Sequence, residues 1–336
     1  MEYRTLGRSG LSVSRYCLGT MMFGGPTDAA TSGRLIARAA AAGINILDTA
    51  DGYNAGRSEE VVGAAIAGNR HAWVLATKIA NRVGKGPNEG GLSRKWVMQG
   101  TEACLRRLGT DFIDILYLHK EDPATPLEVT VRALGDLVRA GKIRHFGVSN
   151  YRGWRIAEIC RLCDGLGIDR PVVSQPYYNA MNRQPEVEQL PAAAHCGLGI
   201  LPYSPLARGV LTAKYRPGEA PEPGSRAGRQ DRRLLETELR PESLEIAQRI
   251  RDHAAAKGGS AAHLAIAWVL NNRLVTGCIL GPRTEQHLED YLAALDYRFT
   301  AEDEALIDRL VPPGHPSTPG YNDPQYPIEG RVPVVG

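Results

Sequence analysis

A chain of 336 residues, 43% apolar and 23% charged, carries enough apolar material for a large buried core in an ordinary soluble protein. A formal charge of +3 is too small a bias to imply nucleic acid or a membrane surface, since those partners need Lys and Arg clustered on one face. Met1–Gly10 is polar, no run of about 18 apolar residues occurs, and the six cysteines are scattered; together these predict a reduced, cytoplasmic protein with no secretory leader and no membrane span.

Short apolar runs alternate with amphipathic stretches along the chain. The run Tyr16–Leu18 precedes a helix over Ser32–Ala42, with Leu35, Ile36 and Ala39 on one face. Asn45–Asp48 precedes a helix over Ser58–Ala67, whose first turn holds Glu59 and Glu60 where the macrodipole favours acids. Trp73–Lys78 is followed by Ser93–Leu108, opened by a polar cap and closed by Gly109. Ile113–His119 is followed by Thr125–Ala140, with Pro126 in the first turn and Gly141 after the end. Ile143–Ser149 leads to Gly153–Leu166, and Val172–Tyr177 leads to a weak helix near Pro191–Cys196. Gly199–Tyr203 precedes helices over Ser243–Lys257 and Ser260–Asn271, and Thr276–Leu280 precedes Thr284–Ala294. Cys160 and Cys163 fall inside a helical pattern with no second cysteine pair, so they read as buried thiols and no metal is expected.

Eight strand–helix units predict a parallel sheet, and eight favour its closure into a (β/α)8 TIM barrel. Polar residues gather at the strand ends, among them Asp48, Lys78, His119, Ser149, Asn150 and Gln175. In a barrel those ends meet at one mouth. Two segments lie outside the repeat: Leu206–Arg240, rich in Gly, Pro, Arg and Glu, and Pro312–Gly336, with seven prolines. The expected organisation is one barrel over 1–311 and a proline-rich tail over 312–336.

Asp48, Lys78 and His119 each end a strand, and Tyr53 follows Asp48 by five residues. Singly, each has an ordinary structural role: a helix cap, a surface lysine, a core imidazole, a loop aromatic. Jointly they have a chemistry. A buried ammonium beside a phenol favours phenolate and eases release of its proton. A carboxylate keeps that ammonium charged and oriented. A tyrosine so placed serves as general acid towards a carbonyl oxygen and as base in reverse, with His119 fixing the oxygen by a hydrogen bond.

The blocks Asp48-Thr49-Ala50-Asp51-Gly52-Tyr53, Lys78, Leu118-His119, Gly147-Val148-Ser149-Asn150 and Tyr203-Ser204-Pro205-Leu206-Ala207-Arg208-Gly209 stand in the order and at the spacing of the aldo-keto reductases. The chain resembles that family from about Tyr3 to Leu295, in its aryl-alcohol dehydrogenase and potassium-channel β-subunit branch. The resemblance implies an N-terminal β-hairpin, the tetrad Asp48, Tyr53, Lys78 and His119, and NADPH extended across the barrel mouth. Carried over by motif, Thr20, Met21 and Asp48 adjoin the cofactor; Ser149, Asn150 and Gln175 hold its carboxamide; Tyr203 stacks on the nicotinamide. Ser204, Leu206, Arg208 and Gly209 follow the pyrophosphate with Lys214 and Arg226, and Gly281 and Arg283 receive the adenosine phosphate at a helix N-terminus. Arg226 and Arg283 suit a doubly charged 2′-phosphate, which favours NADPH over NADH. The sequence departs from the family around the adenosine, where His287, Asp290 and Tyr291 stand in place of Gln, Glu and Asn.

The activity implied is reversible oxidoreduction of a small carbonyl or alcohol. Met22–Pro26, Arg82–Gly91, Lys120–Pro123 and the tail are expected to line the substrate pocket, the tail as a lid. The Gly-rich stretch Gly84–Gly90 has a proline inside and the wrong spacing for a dinucleotide fingerprint, so it reads as a flexible loop. Two other readings stay open: a cofactor-sensing regulatory subunit, and an aldolase with Lys78 as Schiff-base amine. Oligomeric state is not set by these patterns.

Overall fold

The computed structural model describes residues 1–328. Strands β1 (Tyr3–Thr5) and β2 (Ser12–Ser14) form an antiparallel hairpin, with Tyr3 opposite Ser14 and Thr5 opposite Ser12. Eight parallel strands follow: β3 (Tyr16–Gly19), β4 (Ile46–Asp48), β5 (Val74–Ile79), β6 (Ile113–Leu118), β7 (Ile143–Ser149), β8 (Val173–Gln175), β9 (Gly199–Ile200) and β10 (Cys278–Leu280). They run side by side from β3 to β9, and β10 pairs back onto β3. Thr276 N donates to Ile200 O at 2.9 Å and Ile279 N to Pro202 O at 2.9 Å, which joins β10 to the β9 segment and closes the ring. The fold is the expected (β/α)8 barrel.

Side-chain parity explains where the functional groups go. Alternate strand residues face opposite sides. Ile46, Ala76, Ile115, Tyr117, Val173 and Leu201 form one buried cluster inside the ring, whereas Leu47, Leu75, Leu116 and Leu118 pack outward against helices. Two residues further along the inward rows come Asp48, Lys78, His119, Gln175 and Tyr203. Each therefore faces the axis at the C-terminal mouth. The hairpin sends Leu6 and Val13, both fully buried, into the same inner cluster. Gly199 lets it approach: a Cβ there would fall 2.7 Å from Leu6 Cδ1 and 2.9 Å from Gly7 N.

Around the strands lie α1 (Ala29–Ala41), α2 (Arg57–Ile66), α3 (Arg94–Leu108), α4 (Leu127–Arg139), α5 (Gly153–Leu166) and α6 (Gln189–His195), then α7 (Arg232–Thr237), α8 (Pro241–Ala256), α9 (Ala261–Asn271), α10 (Glu285–Ala293) and α11 (Ala301–Leu310). Ser93 caps α3 by accepting from Trp96 N at 3.3 Å, and Gly109 ends it at φ 62°. Two helices were not among those expected. α7 lies inside the Arg-rich segment, started by Asp231, which accepts from Leu234 N at 2.9 Å. α11 begins where Thr300 N donates to Asp303 Oδ2 at 2.8 Å, and Asp303 is buried against His253 and Lys257. Cys160 and Cys163 are free and buried, as are the other four cysteines.

Beyond α11 the chain returns to the mouth. Ser317 N donates to Met181 O at 2.8 Å, and the Arg240 guanidinium lies 3.8 Å from the Tyr321 ring centre. Arg233 grips Asp323 through both nitrogens, at 3.0 and 2.5 Å. The end of the predicted tail, 329–336, lies outside the described residues.

Candidate active site

A cleft of about 740 Å³ crosses the mouth. At its head Lys78, fully buried, is hydrogen-bonded to Asp48 Oδ1, to Thr49 O at 2.8 Å and to the Tyr53 hydroxyl at 3.2 Å. The His119 ring meets the Tyr53 ring edge-on, 5.9 Å between centres. Tyr53, His119 and Asp48 border the cleft, while Lys78 stands behind them. Burial presses on the Lys78 ammonium, but Asp48 and Tyr53 outweigh it and hold its pKa above the usual value. For Tyr53 the balance goes the other way. Lys78 favours phenolate as the sequence suggested, yet burial is stronger and Asp48 adds to it, so the phenol pKa is raised. Tyr53 therefore holds its proton at neutral pH, the state a general acid needs. His119 is held well below its ordinary pKa by burial, then by Lys78 and Lys120, and is a neutral imidazole.

The polar residues next to the tetrad are linked to one another. Gln175 Nε2 donates to Asp48 Oδ2 at 2.8 Å, and Ser149 Oγ donates to Gln175 O at 2.9 Å. Asn150 Nδ2 donates to His119 O at 2.8 Å, and Asn150 Oδ1 accepts from the Tyr203 hydroxyl at 2.8 Å. Tyr177, which does not border the cleft, stacks on Tyr203 with ring centres 5.5 Å apart. The Tyr203 ring is thus held from its far side.

The other end of the cleft is cationic. Lys214, Arg226 and Arg283 border it with Arg208, whose buried Nε has no hydrogen-bond partner. Burial lowers the Lys214 pKa, and Arg283 and Arg226 lower it further. Cations crowded enough to disfavour one another form a site suited to an anion. Positive φ at Ser204 (57°), Ala207 (47°) and Arg208 (52°) shapes the loop beside them. Thr284 caps α10 there, accepting from His287 N at 3.2 Å. His287 and Tyr291 lie nearly parallel, ring centres 6.4 Å apart, and Asp290 meets His263 at 3.1 Å.

A family model described as the aldo/keto reductase family matches residues 15–312. The chain belongs to the aldo/keto reductase family. It is 36% identical over 301 residues to a probable voltage-gated potassium channel subunit beta of Oryza sativa subsp. japonica, covering 88% of this chain and 92% of that one. It is 35% identical over 334 residues to the uncharacterized oxidoreductase YrpG of Bacillus subtilis (strain 168), covering 96% and 99%. Membership of this family and the second relative make the chain an oxidoreductase of the aldo/keto reductase type.

Every residue that the family pattern pointed to for cofactor contact borders this one cleft: Thr20, Met21 and Asp48 at the head, Ser149, Asn150, Gln175 and Tyr203 along the wall, and Ser204, Leu206, Arg208 and Gly209 with Lys214, Arg226, Gly281, Arg283, His287, Asp290 and Tyr291 towards the cationic end. The substrate side keeps part of the expectation. Lys120 and, from the tail, Gln325 and Tyr326 border the cleft, and Asn81 joins them, whereas among the described residues Met22–Pro26, Arg82–Gly91 and 121–123 do not. The Gly-rich loop folds on itself instead, with Val83 N donating to Glu89 O at 3.0 Å and Glu89 Oε2 accepting from Gly86 N at 2.6 Å. Asn81 and Arg233 were not singled out by sequence. Asn81 sits just past an inward strand end, a usable signal, whereas Arg233 is one of several arginines in an irregular segment and carries none. Among the described residues no group of three or more His, Cys, Asp or Glu could hold a metal, and no helix is long and apolar enough to cross a membrane.

Proposed function

We propose that the chain is an NADPH-dependent carbonyl reductase, reversible towards the alcohol, with Tyr53 as general acid and base. The observation that carries this reading is the Tyr53 hydroxyl 3.2 Å from a buried Lys78 ammonium that is itself held by Asp48, at the head of a cleft whose other end is cationic. The unpartnered Arg208 Nε and the crowded Lys214, Arg226 and Arg283 fit the phosphates of a dinucleotide, and Arg226 with Arg283 fit an added 2′-phosphate. Ser149, Asn150 and Gln175 would hold the carboxamide and Tyr203 the ring face. The nicotinamide, when bound, supplies or takes up the hydride.

The protein's own part is proton management and orientation. Tyr53 gives its hydroxyl proton to the carbonyl oxygen, and the phenolate left behind is stabilised by the Lys78 ammonium. Asp48, tied to Gln175 as well as to Lys78, keeps that ammonium charged. His119 adds a neutral hydrogen-bonding group at the same oxygen. In the alcohol direction the phenolate takes the proton back. Six buried free thiols suit a reducing compartment, so we place the protein in the cytoplasm. The substrate class is an aldehyde, ketone or keto-sugar. The tail, through Gln325 and Tyr326, acts as its lid.

The test is NADPH oxidation against aryl aldehydes, α-dicarbonyls and keto-sugars. Tyr53→Phe should lower kcat by about 10²–10⁴-fold with cofactor affinity nearly unchanged. A variant with full kcat ends the reading. The potassium-channel β-subunit relatives favour a second one, a cofactor-sensing partner subunit. That reading gains if NADPH binds tightly, no carbonyl is turned over, and a stable protein partner is recovered.

A further inference from the structure

Asn81 lies three residues past Lys78 and has no role in the scheme above. Its side-chain amide nitrogen stands 3.0 Å from Nδ1 of His119. An amide nitrogen only donates. In this contact Nδ1 accepts, and the single proton of a neutral ring sits on Nε2. Other groups near the imidazole do not compete for that role: Lys78 and Lys120 are cations that keep it neutral, Tyr53 meets it ring to ring, and Asp48 is engaged with Lys78 and Gln175.

The backbone supplies a second, independent observation. Ala80, buried, has a φ of 124°, a conformation L residues avoid. It is pinned on both sides, because Ile79 O accepts from His119 N at 2.8 Å and Ala80 O accepts from Gly91 N at 2.9 Å. The strained residue is the one that turns the chain so that the next side chain borders the cleft. Strain that persists because its surroundings over-determine it gathers where a side chain must be aimed.

We propose that Asn81 is a positioning residue that fixes neutral His119 in the Nε2–H tautomer, so that the imidazole donates to the substrate oxygen beside the Tyr53 hydroxyl. This rests on the reductase reading. With the proton on Nε2, two donors converge on one oxygen. With the proton on Nδ1, the ring would turn a lone pair towards a carbonyl oxygen and repel it.

The decisive measurement is a long-range ¹H–¹⁵N correlation spectrum of the full chain labelled with ¹⁵N-histidine, with His119→Gln identifying the ring signals by their loss. The expected result at neutral pH is the Nε2–H pattern in the wild type. Asn81→Ala should give mixed tautomers, and Asn81→Asp should draw the proton to Nδ1. With an aryl aldehyde and NADPH, both variants should lose about 10–100-fold in kcat, with KM for NADPH changed less than about twofold. An Nδ1–H pattern in the wild type overturns the proposal, as does kcat within twofold of wild type in both variants. Should the wild type turn over no carbonyl, the reductase reading fails instead, and the spectrum still decides whether Asn81 sets the tautomer.

Discussion

Replacing Asp48 by Asn probes the logic of the site most directly. Asp48 accepts from Lys78 on one oxygen and from Gln175 on the other. Asn keeps the shape and removes the charge, which leaves the buried Lys78 ammonium without its counter-ion. Breaking such a pair by removing one partner costs about 3–5 kcal/mol of stability at neutral pH. The pH dependence carries the sharper signature. In the wild type the raised Lys78 pKa means that its contribution to stability is fully present below the unfolded value of about 10.4 and is lost only as pH rises through the folded value. In Asp48→Asn the burial that presses the pKa down has lost its main opponent, with only Tyr53 and the Thr49 carbonyl left beside the ammonium, and the folded value falls. Between that value and the unfolded one, the unfolded chain binds one more proton than the native chain. Stability then rises with pH by about 1.4 kcal/mol per unit. The catalytic cost follows from distance. An ammonium 3.2 Å from the phenolate oxygen is worth about 5 kcal/mol at an effective dielectric of about 20. Once Lys78 is neutral, kcat should drop by about 10³–10⁴-fold and should recover as pH is lowered to recharge it. Urea unfolding between pH 7 and 9 and a kcat–pH profile read both effects. A variant with wild-type kcat and a stability flat over that range would refute the argument.

Further outcomes are expected elsewhere in the molecule. Arg283→Ala should weaken NADPH binding by about 10–100-fold, the loss of one charge-assisted hydrogen bond of about 1.5–3 kcal/mol, and leave NADH binding nearly unchanged; titration calorimetry with both nucleotides distinguishes this from a general loss. Asp51 is buried beside Glu59, its carboxylate oxygens have no partner, and its pKa is raised to about 7, first by burial and then by Glu59. Its native form binds the extra proton between the unfolded pKa and about 7, so stability falls as pH rises through that window; Asp51→Asn should abolish the slope and be more stable than wild type at pH 8 by about 2–4 kcal/mol in urea unfolding. Asp323→Asn loosens the Arg233 grip on the tail and should raise the KM for the carbonyl several-fold with cofactor affinity maintained, as steady-state kinetics would report. Leu6→Ala opens a cavity at the floor of the barrel and should cost about 2–5 kcal/mol in the same unfolding assay while the mouth stays intact.

The local patterns of the sequence determined a good deal. A strand of period two and a helix of period 3.6 are written in neighbouring residues, so eight strand–helix units could be read directly, and Asp48, Lys78 and His119 could be placed at strand ends. Short elements were harder: α7 starts on an Asp231 hydrogen bond inside an irregular Arg-rich segment, whereas α11 carries a legible signal, a Thr300–Asp303 capping box ahead of Leu306 and Ile307. Closure of the ring and the return of the tail to the mouth could be expected from the eight units and the proline-rich end, but the contacts that make them, Thr276 with Ile200 and Gln325 and Tyr326 at the cleft, and the turn at Ala80 that brings Asn81 to His119 were decided only by tertiary structure, because each joins parts of the chain that carry no mark of one another. The same holds for the proton on Tyr53. Sequence supplied the lysine that pulls it off, but whether it stays depends on the sum of burial and every nearby charge, and that sum exists only once the barrel has closed around it.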